Sequence, residues 1–140
     1  MISKVFFDTN VLIYAADKNN PQKQSTARHV LRESAALGNG VLSTQVLQEF
    51  YVIATSKLGL NSQVVKALIC GFQNMEVVQI TPALIHIAID TSLFNKVSFW
   101  DALIVAAAES AACEILMTED LNSGQTIRGV FVRDPFAAEE

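Results

Sequence analysis

Four carboxylates, Asp8, Glu49, Asp101 and Asp120, set the chemical possibilities of this chain. Asp8 directly follows the β-prone run Val5-Phe6-Phe7 and precedes Thr9 and Asn10. That pattern describes a buried strand ending where polar side chains reach solvent and a helix begins. Ligands of open α/β sheets collect at the carboxyl ends of the strands, so Asp8 stands where chemistry is usually done. Asp120 sits similarly behind the apolar run Ile115-Leu116-Met117. Of the pair Glu119-Asp120 the second is expected to point inward, with the Thr118 hydroxyl lining the same pocket.

Asp101 falls within the apolar arc formed by Leu103, Ile104, Val105, Ala107, Ala108 and Ala111 at helical spacing. A carboxylate on an inward face is costly unless a cation or hydrogen-bond donors hold it. The local alternative is a capping pair, because Ser98 and Asp101 have S-x-x-D spacing at a helix start; the two roles are compatible. Glu49 borders the stripe Val46, Phe50, Ile53 and Ala54, with Gln45 and Gln48 further round. By itself it reads as a solvated boundary acid. Its helix, however, begins directly after the short strand Val41-Leu42, so its first turns would lie over the sheet edge where Asp8 emerges.

Carboxylates gathered at one sheet edge repel one another if left empty, and a divalent cation removes that conflict. Oxygen-only donors favour Mg²⁺ or Mn²⁺ over zinc, and neither His29 nor His86 is close in sequence to a candidate acid. Those histidines are expected on helix surfaces or as satisfied interior groups. No motif supports a Ser-His or Cys-His nucleophile.

The elements that must position these acids follow from periodicity and punctuation. Val11–Ala16 reads as a short helix closed by Asp17-Lys18-Asn19-Asn20 and Pro21. Gln22–Leu37 is helical through Ala27, Val30, Leu31 and Ala35, and stops at Gly38-Asn39-Gly40. Ser43 or Thr44 caps a helix running to about Lys57, with Gly59 behind it. Ser62–Phe72 is apolar at Val64, Val65, Leu68, Ile69 and Phe72. Val77–Ile80 is a strand, and Pro82 opens a helix whose inner side is Leu84, Ile87, Ala88, Thr91 and Leu93. The helix from Ser98, the strand Ile115–Met117, a loop containing Gly124 and a last strand Val130–Val132 complete the chain. Strands alternating with helices predict a parallel sheet covered on both faces, in one domain spanning residues 1–140.

Composition agrees. The 140 residues are 51% hydrophobic, and a chain of this size buries roughly two-thirds of its unfolded surface without help from disulfides. Cys70 and Cys113 form no CxxC and read as buried reduced thiols. Neither a signal-peptide core nor a run long enough to span a bilayer is present, so a cytoplasmic protein with no membrane contact is expected. A net charge of −4 is the wrong sign for binding a polyanion by bulk charge, although acids gathered around a cation make the net count misleading. Local grip on a polyanion would fall to Lys18, Lys23, Arg28, Lys57 and Lys96, each otherwise an ordinary surface cation. Aromatic stacking by Trp100 is conceivable, but its place on the apolar arc favours core packing.

In the order Phe7-Asp8-Thr9-Asn10-Val11-Leu12, Ser98-Phe99-Trp100-Asp101-Ala102-Leu103-Ile104, Leu116-Met117-Thr118-Glu119-Asp120-Leu121 and Val130-Phe131-Val132 to Pro135-Phe136, nearly the whole chain resembles the PIN domain, in particular VapC-like ribonuclease toxins of toxin–antitoxin systems. The resemblance implies a three-layer α/β/α fold with a central parallel sheet and divalent-metal-dependent cleavage of RNA. It makes Asp8, Glu49, Asp101 and Asp120 the catalytic, metal-holding acids, with Asn10 and Thr118 as polar supports. It further implies Mg²⁺ or Mn²⁺ as cofactor, RNA as substrate, a cognate antitoxin as partner, and a homodimer. Haloacid-dehalogenase-type phosphatases also begin with a strand ending in Asp, but they want a second Asp two residues on, where this chain has Asn10. A PIN-like module that only binds a partner is the other alternative, and the complete acid set argues against it.

Overall fold

Apolar residues bounded by polar turns form the strands, and each of the first three strands hands the chain to a helix through an identifiable cap. The computed structural model describes residues 2–137. In chain order the elements are β1 (Val5–Phe7), α1 (Thr9–Ala16), α2 (Pro21–Leu37), β2 (Gly40–Ser43), α3 (Thr44–Ser56), α4 (Ser62–Phe72), β3 (Glu76–Val78), α5 (Pro82–Asn95), α6 (Phe99–Ser110), β4 (Ile115–Met117), β5 (Thr126–Ile127) and β6 (Val130–Arg133). Asp8, Ser43, Thr81 and Ser98 are N-caps whose side chains accept from backbone N–H groups one to three residues on. Such caps satisfy donors that a helix start leaves orphaned. Because Asp8 is itself a cap, α1 starts at Thr9, two residues before the expected Val11.

The strands form one six-stranded sheet in the order β3-β2-β1-β4-β6-β5. All neighbours are parallel except β5, which pairs antiparallel with β6. Phe6 lies beside Val41 on one side and Leu116 on the other. From β1 the chain steps outward to β2 and β3, then returns to the other side of β1 for β4 and β6. The reversal leaves a crevice between β1 and β4 at their carboxyl ends, the place where open parallel sheets bind ligands.

The main core joins Phe6 and Phe7 of β1, Val41 and Leu42 of β2, Leu116 of β4 and Val132 of β6 to Val11, Leu12, Val46, Phe50 and Val65 from the helices. Helix α6 is buried without a break from Ala102 to Ala108. It serves two clusters: Ile104, Val105, Ala107 and Ala108 face the main core, and Ala102, Leu103 and Ala106 meet Leu84 and Ala88 of α5. Its alanines allow close approach on both sides, so α6 is the inner and α5 the outer helix of that layer.

Peripheral positions depart from the expectations. Val64 and Leu68 of α4 are exposed, because α4 packs on α3 along one face only. Leu93 of α5 is 76% exposed rather than inward. Cys70 on α4 is exposed, whereas Cys113, just past α6, is buried, and burial pushes its thiol up to about 12. The strand expected at Val77–Ile80 is β3 at Glu76–Val78, since Ile80 N–H leaves the ladder and donates to Thr44 Oγ1 at 3.1 Å. Strand β5 was not expected at all.

Candidate active site

Strand β1 delivers Asp8 to the crevice, and Asp8 N–H donates to the carbonyl of Met117 at 3.0 Å, tying the end of β1 to the end of β4. The same residue turns the chain into α1: its Oδ1 accepts from Thr9 N–H at 2.7 Å. Its Oδ2 accepts from Thr118 Oγ1 at 2.8 Å. Thr118 is fully buried, and its hydroxyl oxygen in turn accepts from Asn10 Nδ2 and from Asp120 N–H, both at 3.1 Å. Asn10 Nδ2 also donates to Asp120 Oδ2 at 3.1 Å. The two supporting positions therefore join residues from opposite ends of the chain: Asn10 braces the Asp120 carboxylate, and Thr118 braces Asp8.

Asp101 enters from the first turn of α6, with its N–H capped by Ser98 Oγ at 3.1 Å. One carboxylate oxygen from each of Asp8, Asp101 and Asp120 lies within 4.8 Å of the other two. Oxygens bound to Mg²⁺ at about 2.0–2.1 Å lie roughly 3–4 Å from one another, so a slight closure or one bridging water brings this trio onto a single ion. The hard oxygen donors fit such a cation.

Glu49 stands outside the trio on the wall of the same pocket, where Thr9 Oγ1 donates to its Oε1 at 2.7 Å. The pocket, of about 280 Å³, is lined by all four acids together with Asn10, Lys57 and Trp100, among others. Glu119, the acid not favoured as inward, is held by Tyr14 OH at 2.7 Å and Lys23 Nζ at 2.9 Å. Lys23 is thus engaged in an ion pair over the Tyr14 ring rather than free for a polyanion, whereas Lys57 lines the pocket. Lys18, Arg28 and Lys96 are exposed and do not line it, and both histidines are exposed on helices.

Three lining residues escaped sequence reasoning. Thr9 is buried and orients Glu49. Gln45 is only 4% exposed, and its Nε2 donates to the Trp100 carbonyl at 3.2 Å, linking α3 to the start of α6. Trp100 is 61% exposed instead of core. The D-T-N triplet held a signal for Thr9; Gln45 and Trp100 had none that periodicity detects.

The family model for the PIN domain matches residues 5–125. The chain belongs to the PIN-domain family. Among solved structures, this PIN domain is similar to a toxin-antitoxin complex from Klebsiella pneumoniae, with 20% identity over 96% of this chain and 100% of that one, at a TM-score of 0.71. It is also similar to the Sarcin-Ricin loop cleaving VapC toxin of Mycobacterium tuberculosis, with 19% identity, 81% and 87% coverage and a TM-score of 0.69. For the DNA-bound VapBC of Salmonella typhimurium the values are 21%, 96% and 99%, and 0.68. At these identities the likeness is one of fold. No curated protein is significantly similar to the chain.

Electrostatics sharpen the picture of this PIN domain without an ion. Burial, the largest influence, pushes the Asp8 carboxyl up to about 7; hydrogen bonds from Thr118 and Thr9 oppose the rise, and Asp120 and Glu49 add to it by repulsion. Burial also raises Asp101, with Asp120 and Glu49 again adding and Ser98 opposing. Between its ordinary value of 3.8 and about 7, Asp8 keeps a proton in the folded chain that the unfolded chain has released. Stability of the metal-free fold therefore falls as pH rises through that window. The melting temperature measured in chelator should drop between about pH 5 and about pH 7.5, and Mg²⁺ or Mn²⁺ should raise it more at the higher pH, where no proton competes for the site. Asp8→Asn should flatten the slope; an unchanged slope in that variant would remove Asp8 as its source.

Proposed function

We propose that the protein is a divalent-metal-dependent endoribonuclease, hydrolysing phosphodiester bonds of RNA, and the toxin of a toxin–antitoxin pair. The observation that carries this reading is the convergence of carboxylate oxygens from Asp8, Asp101 and Asp120, three residues far apart in sequence, at the crevice between β1 and β4. The neighbours' descriptions as toxins and toxin–antitoxin complexes support it.

In this reading Asp8, Asp101 and Asp120 hold Mg²⁺ or Mn²⁺, with Glu49 completing the acidic pocket. The bound ion would supply an acidified water and charge compensation at the phosphoryl oxygens. The chain's own contribution is position. Thr118 and Thr9 fix the Asp8 carboxylate, Asn10 fixes Asp120, and Thr9 holds Glu49 on the wall of the same pocket, where it would take a proton from the attacking water. Phosphoryl transfer asks a protein mainly for such positioning and charge balance. Attack by water forms one P–O bond as the P–O bond to the leaving ribose oxygen breaks. Lys57, which lines the pocket, would meet the strand phosphates.

A cognate antitoxin covering this pocket and a second copy of the chain are the partners this reading entails. The exposed row Ile85, Ile89, Leu93 and Phe94 on α5 supplies an apolar face for the second copy. No helix among the described residues is long and apolar enough to cross a membrane.

The test is direct. Purified protein incubated with single-stranded and structured RNA is expected to cut in Mg²⁺ or Mn²⁺, to stop in EDTA, and to recover when excess metal is returned. Cleavage that persists in EDTA would overturn the metal assignment, and failure to cut any RNA would overturn the nuclease.

A further inference from the structure

We propose that Trp100 is a stacking platform that receives an unstacked base of the substrate strand beside the phosphate being cut. The proposal rests on the ribonuclease reading and adds to it what the substrate must look like: single-stranded, with a base free to leave its neighbours.

The argument starts from exposure. Trp100 is the second residue of α6, the most deeply buried helix of the protein, yet is itself 61% exposed. An indole carries a large apolar surface that folding ordinarily hides. Here Phe99 meets it nearly perpendicularly, with centroids 5.2 Å apart and planes at 76°, so the ring is braced while much of it stays open. Its backbone is held as well, because the buried Gln45 donates to its carbonyl. A braced aromatic surface loses little entropy when it takes a ligand.

Position then identifies the occupant. A second cavity of about 390 Å³ lies against Trp100, walled by the apolar Val52 and Ile53 and edged by Gln48. It adjoins the acidic pocket, since Gln45, Glu49, Ile53 and Trp100 line both. Trp100 directly precedes Asp101, so whatever fills the groove lies next to the acids. A strand whose phosphate sits at the acids has its adjoining base within this groove. A flat heterocycle suits it: an aromatic face to stack on, aliphatic walls, and the exposed Gln48 amide at the edge for polar groups of the base. Bases recognised in RNA are typically unstacked and laid on aromatic side chains in this way, and every base has a face to offer. The net charge of −4 gives the chain little bulk attraction for a polyanion, which increases the need for a contact of this kind.

Because Trp100 is the only tryptophan in the chain, its fluorescence reports the contact directly. On rapid mixing in Mg²⁺, a short single-stranded oligoribonucleotide should quench the emission before it is cut, and a ribose-phosphate strand of equal length lacking its bases should not. In steady-state cleavage with Mg²⁺, Trp100→Leu should raise KM roughly tenfold with kcat within about twofold, since stacking is uniform binding energy, and Trp100→Phe should restore most of the loss. Equal quenching by the baseless strand, or a Trp100→Leu variant with wild-type KM, would overturn the proposal while leaving a cleaving wild-type enzyme intact as a nuclease. Wild-type protein that cuts no RNA would instead remove the ribonuclease reading. Emission unmoved by RNA but shifted by a protein partner would overturn base stacking and assign the groove to protein docking. Should the Leu variant fail to fold, the fluorescence pair and the Phe variant still decide.

Discussion

Asp8→Asn is expected to lower the rate of RNA cleavage by about a thousandfold or more while leaving the fold in place. The substitution changes charge with almost no change of shape. Asn caps a helix as well as Asp does, so the bond from Thr9 N–H and the start of α1 survive. A neutral amide is also easier to bury than a carboxylate, and Asp8 is buried. What is lost is one of three negative oxygens converging on a shared point, together with the acceptor of the Thr118 hydroxyl. Charge stabilisation by a bound ion is worth several kcal/mol, and each ~1.4 kcal/mol is tenfold in rate. Initial rates at saturating RNA and metal, with thermal melts of both proteins, check the pair of claims. Wild-type turnover in the variant would defeat the assignment of Asp8; a collapsed melting curve would move its role from chemistry to folding.

The largest stability effect is expected from Phe50→Ala, at about 3–5 kcal/mol. Phe50 is fully buried and packs edge-to-face on Phe72, with centroids 5.0 Å apart and planes at 79°. That contact joins α3 to α4, and truncation leaves a cavity in the main core. Domains retain only about 5–15 kcal/mol in total, so a midpoint shift of this size in urea titration removes much of the margin. Phe50 directly follows Glu49, and the same cavity loosens the helix that presents Glu49 and Gln45 to the pocket. Activity should therefore fall at temperatures well below the new melting point. A loss under about 1 kcal/mol would mean that α4 collapses to refill the space.

Much of the arrangement was legible from local pattern. An apolar triplet followed by Asp, Thr and Asn states where β1 ends and that a helix begins close behind it, because strand propensity and its polar stop are decided by a few neighbouring residues; that Asp8 itself caps the helix was not read. Asp120 joins Asp8 and Asp101, with Asn10 Nδ2 donating to its carboxylate, but Glu119 lines the same pocket and is the less exposed of the two. Trp100 was not legible. A helical wheel puts it on the apolar arc, but side chains lean toward the helix N-terminus, so a first-turn residue overhangs the end of the layer and meets solvent. Gln45 was set among outward polar residues, whereas its amide is buried against a backbone carbonyl 55 positions away. The two-residue β5 exists only through its pairing with β6 and is too short to carry a periodicity of its own.

By itself the sequence determined the kind of donors this protein offers, hard oxygens at strand ends and helix starts, because those depend on residue type and immediate neighbours. Which of the acids meet was decided by the tertiary structure alone. Placing β4 rather than β2 on the crevice side of β1 brings Thr118 onto Asp8 across 110 residues, and Asp101 joins Asp8 and Asp120, while Glu49 is left on the wall under the hydroxyl of Thr9. Strand order is a property of the whole packed sheet, and no local stretch of the chain encodes it.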